Sequence, residues 1–167
     1  MELISKEYHQ KTDNQNDFNL IDPGSVQGKY VYFIGIGGAG MSAIAKILIN
    51  EGYIVSGSDM ESSPVTYALG ELGVRINTKQ DGECLDPDTN LVITSAAINE
   101  NNPDLKKARS LGLKVVKYSE FLGSLMKTKY GIAISGTHGK TTTTAMISTI
   151  LKKTGHEPTF VIGGNVT

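Results

Sequence analysis

The chain has 167 residues, 39% hydrophobic and 20% charged, which is enough for a domain with its own core and ordinary for a globular protein. Sixteen basic against 17 acidic residues leave a formal net charge of -1, which removes the electrostatic case for a nucleic-acid partner. No apolar run nears the ~20 residues of a bilayer span, and the first six residues lack the apolar stretch of a secretion signal, so a cytoplasmic protein with no membrane partner is expected.

Residues 1–28 are polar, include the run Lys11-Thr12-Asp13-Asn14-Gln15-Asn16-Asp17, and show neither helical nor alternating periodicity. They read as a flexible lead-in. Residues 30–36 then form a continuous apolar run, the pattern of a central parallel strand buried on both faces. Met41, Ile44, Ala45 and Leu48 recur at i, i+3, i+4 and i+7, which lays one helical face on a sheet. Gly52 suits the end of that helix, and a second strand follows at 53–57. The cycle continues with a helix near 65–72, strands near 74–76 and at 91–94, a helix near 103–111, a strand at 114–116 and a helix near 119–126. Alternation at this spacing predicts an α/β, Rossmann-like open parallel sheet with helices on both faces. The single cysteine, Cys84, can form no internal disulfide and has no neighbours in metal-ligand spacing.

A last cycle is incomplete: residues 130–135 read as a strand, 141–153 as a helix, and 159–162 as the start of another strand. Lys127-Thr128-Lys129 is the expected joint between a first domain, 29–127, and the start of a second, 128–167.

Gly35-Ile36-Gly37-Gly38-Ala39-Gly40 matches G-x-G-x-x-G directly after a strand and at the opening of a helix, the context that gives the pattern meaning. The first glycine permits the tight turn, the second lets backbone approach a diphosphate, and the third allows close helix–strand packing. The diphosphate would lie on helix N–H groups, favoured by the helix dipole. Asp59, 19 residues after Gly40, stands where a carboxylate accepts from ribose hydroxyls. NAD, FAD and UDP-sugars all present a diphosphate, so the loop leaves the nucleotide open. Thr94-Ser95-Ala96-Ala97-Ile98 closes another strand, and its hydroxyls either face the same ligand or cap a turn.

Ser135-Gly136-Thr137-His138-Gly139-Lys140-Thr141 departs from G-x-x-x-x-G-K-[ST] only at Ile134, which stands at the first glycine. Its small residues can wrap N–H groups around phosphates, Lys140 can reach the β- and γ-phosphates, and Thr141 can hold Mg²⁺ through its hydroxyl. ATP or GTP is the implied ligand. The run Thr141-Thr142-Thr143-Thr144 is β-branched and would not be chosen by helix propensity to begin a helix. For His138, loop geometry, a phosphate contact and a solvent-facing position stay equally open.

Taken in order and spacing, Phe33 through Ser42, then Ser56-Gly57-Ser58-Asp59, then Thr94 through Ile98, then Gly136 through Thr144, resemble the Mur ligases from about Tyr30 to the last residue. Gly163-Gly164 fit the family's continuation. The alanine in the first loop and the histidine in the second resemble the members that add L-alanine to UDP-N-acetylmuramate. The resemblance implies an ATP- and Mg²⁺-dependent carboxylate–amine ligase of peptidoglycan precursor synthesis, joining L-alanine to the lactyl carboxylate of UDP-N-acetylmuramate through an acyl phosphate. By position, Gly35, Gly37, Gly38, Ala39 and Gly40 would hold the UDP diphosphate, Ser58 and Asp59 the ribose side, and Ser95 the sugar-phosphate end. Gly136, Thr137, His138, Gly139 and Thr142 would line ATP, with Lys140 and Thr141 as the catalytic pair and Thr141 on the metal.

The family's further metal carboxylate and amino-acid domain have no counterpart in the 167 residues, so the expectation is binding of UDP-sugar without ligation. Apolar positions in 130–167, among them Ile132, Ile134, Met146, Ile150 and Val161, lack their expected neighbours; either disorder of this arm or its pairing between chains follows. The rivals are a ligase that attaches a tripeptide to the same UDP-sugar, and a nicotinamide-dependent oxidoreductase or sensor in which the second loop is incidental.

Overall fold

The computed structural model describes residues 29–162. The lead-in at 1–28 and the Gly163-Gly164 pair lie outside the described residues. Five strands form one parallel sheet: β1 (Tyr30–Ile34), β2 (Ile54–Ser58), β3 (Arg75–Asn77), β4 (Leu91–Thr94) and β5 (Val115–Lys117). The order across the sheet is β3-β2-β1-β4-β5. The chain thus winds outward from β1 in one direction and, after crossing back through residues 78–90, outward from β4 in the other. β1 and β4 lie side by side in register from Val31↔Leu91 to Ile34↔Thr94.

Both faces of the centre are covered, as the unbroken apolar run in β1 requires. Val31 and Phe33 point into a core with Met41, Ile44, Ala45 and Leu48 of α1 (Ala39–Asn50) and Leu69 of α2 (Pro64–Glu71). Phe121 and Leu125 of α4 (Tyr118–Lys127) complete that face. Tyr32 and Ile34 point the opposite way, toward Leu105 and Ala108 of α3 (Pro103–Ser110) and Leu85 of the 78–90 crossing. The three-residue edges β3 and β5 leave little unpaired backbone to recruit other chains.

Local chemistry sets the helix starts. Ser63 caps α2 by accepting from the Thr66 N–H, with Pro64 pre-set at the first turn. Asn102 and Pro103 repeat the device at α3. At α4 the Glu120 carboxylate accepts from the Lys117 N–H at 3.0 Å. Gly52, at φ 86°, ends α1 in the left-handed conformation that a side chain resists.

The second half of the chain departs from expectation. α5 (Lys140–Lys153) forms, but residues 130–135 and 159–162 are not strands. A parallel strand exists only through its ladder, and among the described residues no neighbour pairs with either segment. The segments instead flank an apolar groove of about 870 Å³ between α5 and the Ile47, Leu122 and Met126 side of α1 and α4.

Candidate functional site

The crevice beyond the carboxyl ends of β1 and β4 is where the winding of the sheet reverses, the position at which open α/β sheets receive ligands. β1 runs directly into the first glycine loop. Gly35 turns at φ 84°, and a Cβ there would come 3.2 Å from the Ser95 Cβ at the end of β4. The N–H groups of Gly35 and Ile36 both donate to the Ser58 carbonyl, at 2.8 and 3.0 Å, tying the loop to the end of β2. The Gly37 N–H donates to Asp59 Oδ2 at 2.7 Å. A Cβ on Gly37 would stand 2.8 Å from that oxygen, so a side chain here conflicts with the bond that shapes the loop.

Gly38, in extended backbone, is the N-cap of α1 and offers no side-chain cap. Its carbonyl accepts from the Ser42 N–H, leaving the N–H groups of Ala39, Gly40 and Met41 without an acceptor among the described residues. No acidic residue occupies the first turn. Three amides at the positive end of a 12-residue helix, beside exposed Gly38 and Ala39, form an anion-binding end of the kind phosphates occupy.

The structure therefore brings Gly35, Gly37, Gly38, Ala39, Gly40, Asp59 and Ser95 around one crevice. Asp59 spends one oxygen on Gly37 and the other on the Glu61 N–H at 3.1 Å, yet a carboxylate has lone pairs left for hydroxyls. Ser95 donates its N–H to the Ile34 carbonyl, and its hydroxyl accepts from the Ala97 N–H at 3.3 Å. It also lines a cavity of about 350 Å³ with Thr94, Ile98, Arg109 and Lys117, at the same end of the sheet. Across that cavity the guanidinium of Arg109 hydrogen-bonds Glu100 and holds its carboxyl below the usual range.

Two expectations need correction. The Ser58 side chain does not face the ribose side: it is 0% exposed, and its hydroxyl donates to Asp104 Oδ2 at 2.5 Å. Its contribution to the loop runs through its carbonyl. The third glycine, Gly40, has an α4 ring rather than a strand as its nearest neighbour. A Cβ there would meet the Tyr118 hydroxyl at 2.5 Å and Cζ at 2.6 Å, so its bareness makes room for an aromatic ring from α4.

Asp104 and Tyr118 were not singled out from the sequence. Asp104 is 0% exposed and accepts from the Tyr32 hydroxyl at 3.2 Å, the Ser58 hydroxyl and the Gly82 N–H at 2.7 Å. Burial pushes the Tyr32 hydroxyl far above its ordinary value, which keeps it a donor. In sequence, an aspartate in the first turn after Asn102-Pro103 looks like a solvated dipole partner, and nothing local announces burial. For Tyr118 the only signal was its place immediately after a strand.

The second loop is separate. Residues 135–143 are exposed throughout, His138 included. Gly136 and Gly139 adopt φ 152° and 77°, and Gly139 caps α5 while its carbonyl accepts from the Thr143 N–H. The N–H groups of Lys140, Thr141 and Thr142 are left without acceptors among the described residues. Lys140 Nζ folds back to donate to the carbonyls of Gly136 and Thr137. Among the described residues no hydrogen bond or ion pair joins this loop to the first. Among the described residues no group of His, Cys, Asp and Glu could hold a metal by itself, and no helix is long and apolar enough to cross a membrane.

Comparison with known proteins bears on the first loop. The family described as "Mur ligase family, catalytic domain" matches residues 30–130. UDP-N-acetylmuramate–L-alanine ligase of Persephonella marina is 46% identical over 138 residues, 83% of this chain and 30% of that protein. The ligase of the same name from Sulfurihydrogenibium sp. is 47% identical over 136 residues, 81% of this chain and 30% of its own length. The chain thus spans 30% of the length of these relatives. Among solved structures, UDP-N-acetylmuramate-alanine ligase from Thermotoga maritima superposes with a TM-score of 0.78 at 34% identity, covering 82% of this chain and 32% of that one. UDP-N-acetylmuramate:L-alanyl-gamma-D-glutamyl-meso-diaminopimelate ligase from Neisseria meningitides gives 0.76 at 29% identity, covering 82% and 43%.

Proposed function

The chain belongs to the Mur ligase family, and from that premise we propose that it forms the front part of an ATP-dependent ligase joining L-alanine to the lactyl carboxylate of UDP-N-acetylmuramate. Residues 29–127 are the sugar-nucleotide domain, and 128–167 begin the ATP-binding domain. The observation that carries the reading is the reversal point of the sheet, where three unpaired amides of α1 meet Gly35, Asp59 and Ser95. That arrangement suits a diphosphate flanked by hydroxyl-bearing sugars.

In this reading the amides of Ala39, Gly40 and Met41 take the diphosphate, with Gly35, Gly37 and Gly38 giving it close approach. Asp59 accepts from ribose hydroxyls, and Ser95 faces the sugar-phosphate end. The second loop is assigned to ATP on its own geometry. Two glycines at positive φ aim the amides of Lys140, Thr141 and Thr142 outward, the nest that phosphates occupy. Gly136, Thr137, His138 and Gly139 complete the wrap. Lys140 already donates to loop carbonyls, and phosphate oxygens would replace those acceptors. The Thr141 hydroxyl, exposed at the first turn of α5, would join the coordination of Mg²⁺. ATP supplies the phosphoryl group that activates the substrate carboxylate for attack by the amine; the residues here contribute positioning and charge neutralisation. We assign the reaction to the cytoplasm, where its nucleotide substrates reside.

Calorimetric titration of the 167-residue chain with UDP-N-acetylmuramate and with NAD, side by side, tests the reading. Saturable binding of the sugar nucleotide alone is expected. Preferential binding of NAD would overturn the assignment.

A further inference from the structure

The ring of Tyr118 packs on the bare backbone of Gly40, inside the first turn of α1, and its hydroxyl has no hydrogen-bond partner among the described residues. We propose that this hydroxyl is a further ligand-binding group of the sugar-nucleotide site, donating to an anionic phosphoryl oxygen held on the amides of Ala39, Gly40 and Met41. The proposal deepens the reading above and rests on it.

Three observations carry it. The first is proximity: a Cβ built on Gly40 would stand 2.5 Å from the Tyr118 oxygen. That puts the oxygen against the backbone of Gly40, a residue whose own N–H is unpaired, on the turn where the ligand's phosphoryl oxygen would be held. The second is rigidity. Tyr118 opens α4, whose Phe121 and Leu125 are fixed in the core and whose start is held by the Lys117 N–H to Glu120 bond. A donor placed this way gives up little side-chain freedom when it binds.

The third is contrast with Tyr32. That hydroxyl lies in the interior and is committed to Asp104, as buried phenols usually are. Tyr118 is half-buried, packed against the same core as α1, and left with an unused O–H beside the first turn of α1. Its burial raises the phenol above its ordinary value, so at neutral pH it remains a neutral donor and sets no negative charge against a phosphate. The ring of Tyr118 accounts for the missing Cβ of Gly40, and a phosphoryl oxygen on these amides would give its hydroxyl the acceptor that the described residues do not.

Tyr118→Phe keeps the ring and its packing and removes only the hydroxyl. Titrations of wild type and variant with UDP-N-acetylmuramate and with UDP should show affinity weaker by about tenfold for both ligands, the scale of a hydrogen bond to a charged group. The thermal unfolding midpoint of the unliganded variant should be unchanged. Equal affinities would overturn the proposal while leaving the sugar-nucleotide reading intact. A midpoint that falls together with the affinity would give the hydroxyl a role in the fold and likewise overturn it. Failure of the wild type to bind either ligand would remove the underlying reading itself, before the variant is considered.

Discussion

Asp104 gathers donors from three distant parts of the chain, Tyr32 of β1, Ser58 of β2 and Gly82 of the 78–90 crossing. The Ser58 carbonyl in turn holds Gly35 and Ile36, so a buried carboxylate on α3 stands behind the loop's shape. Asp104→Ala leaves three donors facing an interior without an acceptor. An unsatisfied buried group costs ~1–3 kcal/mol, so a loss of about 3–5 kcal/mol is expected in urea unfolding. A loss below ~1 kcal/mol would mean that water reaches the pocket and replaces the carboxylate. At this scale the glycines and Asp59 were legible, because their roles are written in backbone conformation within a strand–turn–helix unit. Ser58 was misassigned and Asp104 and Tyr118 were missed for one reason: each acts through a partner more than 40 residues away, and no local spacing encodes that.

The strands and helices of residues 30–127 follow their apolar periodicities closely, with the helix starts marked by Ser63-Pro64 and Asn102-Pro103. Residues 130–135 and 159–162 depart from the strands their apolar runs predict, because among the described residues no neighbouring strand pairs with either. β-structure is a property of pairs, whereas α5 closes its hydrogen bonds within itself and forms regardless. Its hold is weak nonetheless. Thr144, Ser148, Thr149 and Thr154 each direct a hydroxyl to the carbonyl four residues back, a bond that competes mildly with the helix. Amide hydrogen exchange should therefore be at least about a hundredfold faster across 130–162 than in β1 and β4, tracking local opening. Uniform protection over both regions would show that the arm opens only with the core.

At the scale of the molecule, the arm leaves apolar side chains in the open. Ile132, Met146, Ile150 and Phe160 are 51%, 61%, 60% and 48% exposed, an apolar surface of the kind that seeks a partner. We propose that copies of the 167-residue chain associate through it. Sedimentation should show concentration-dependent assembly, and a chain ending at Lys129 should remain monomeric; strictly monomeric behaviour of residues 1–167 with a fixed arm would count against this. The 78–90 crossing has a different consequence. It is the one passage connecting the two oppositely wound halves of the sheet, it is fastened at Gly82 to Asp104, and two residues later it presents the chain's single thiol, Cys84, to solvent. A dye coupled there would label the crossing itself, giving the protein a built-in attachment point on the passage that joins the two windings of the sheet.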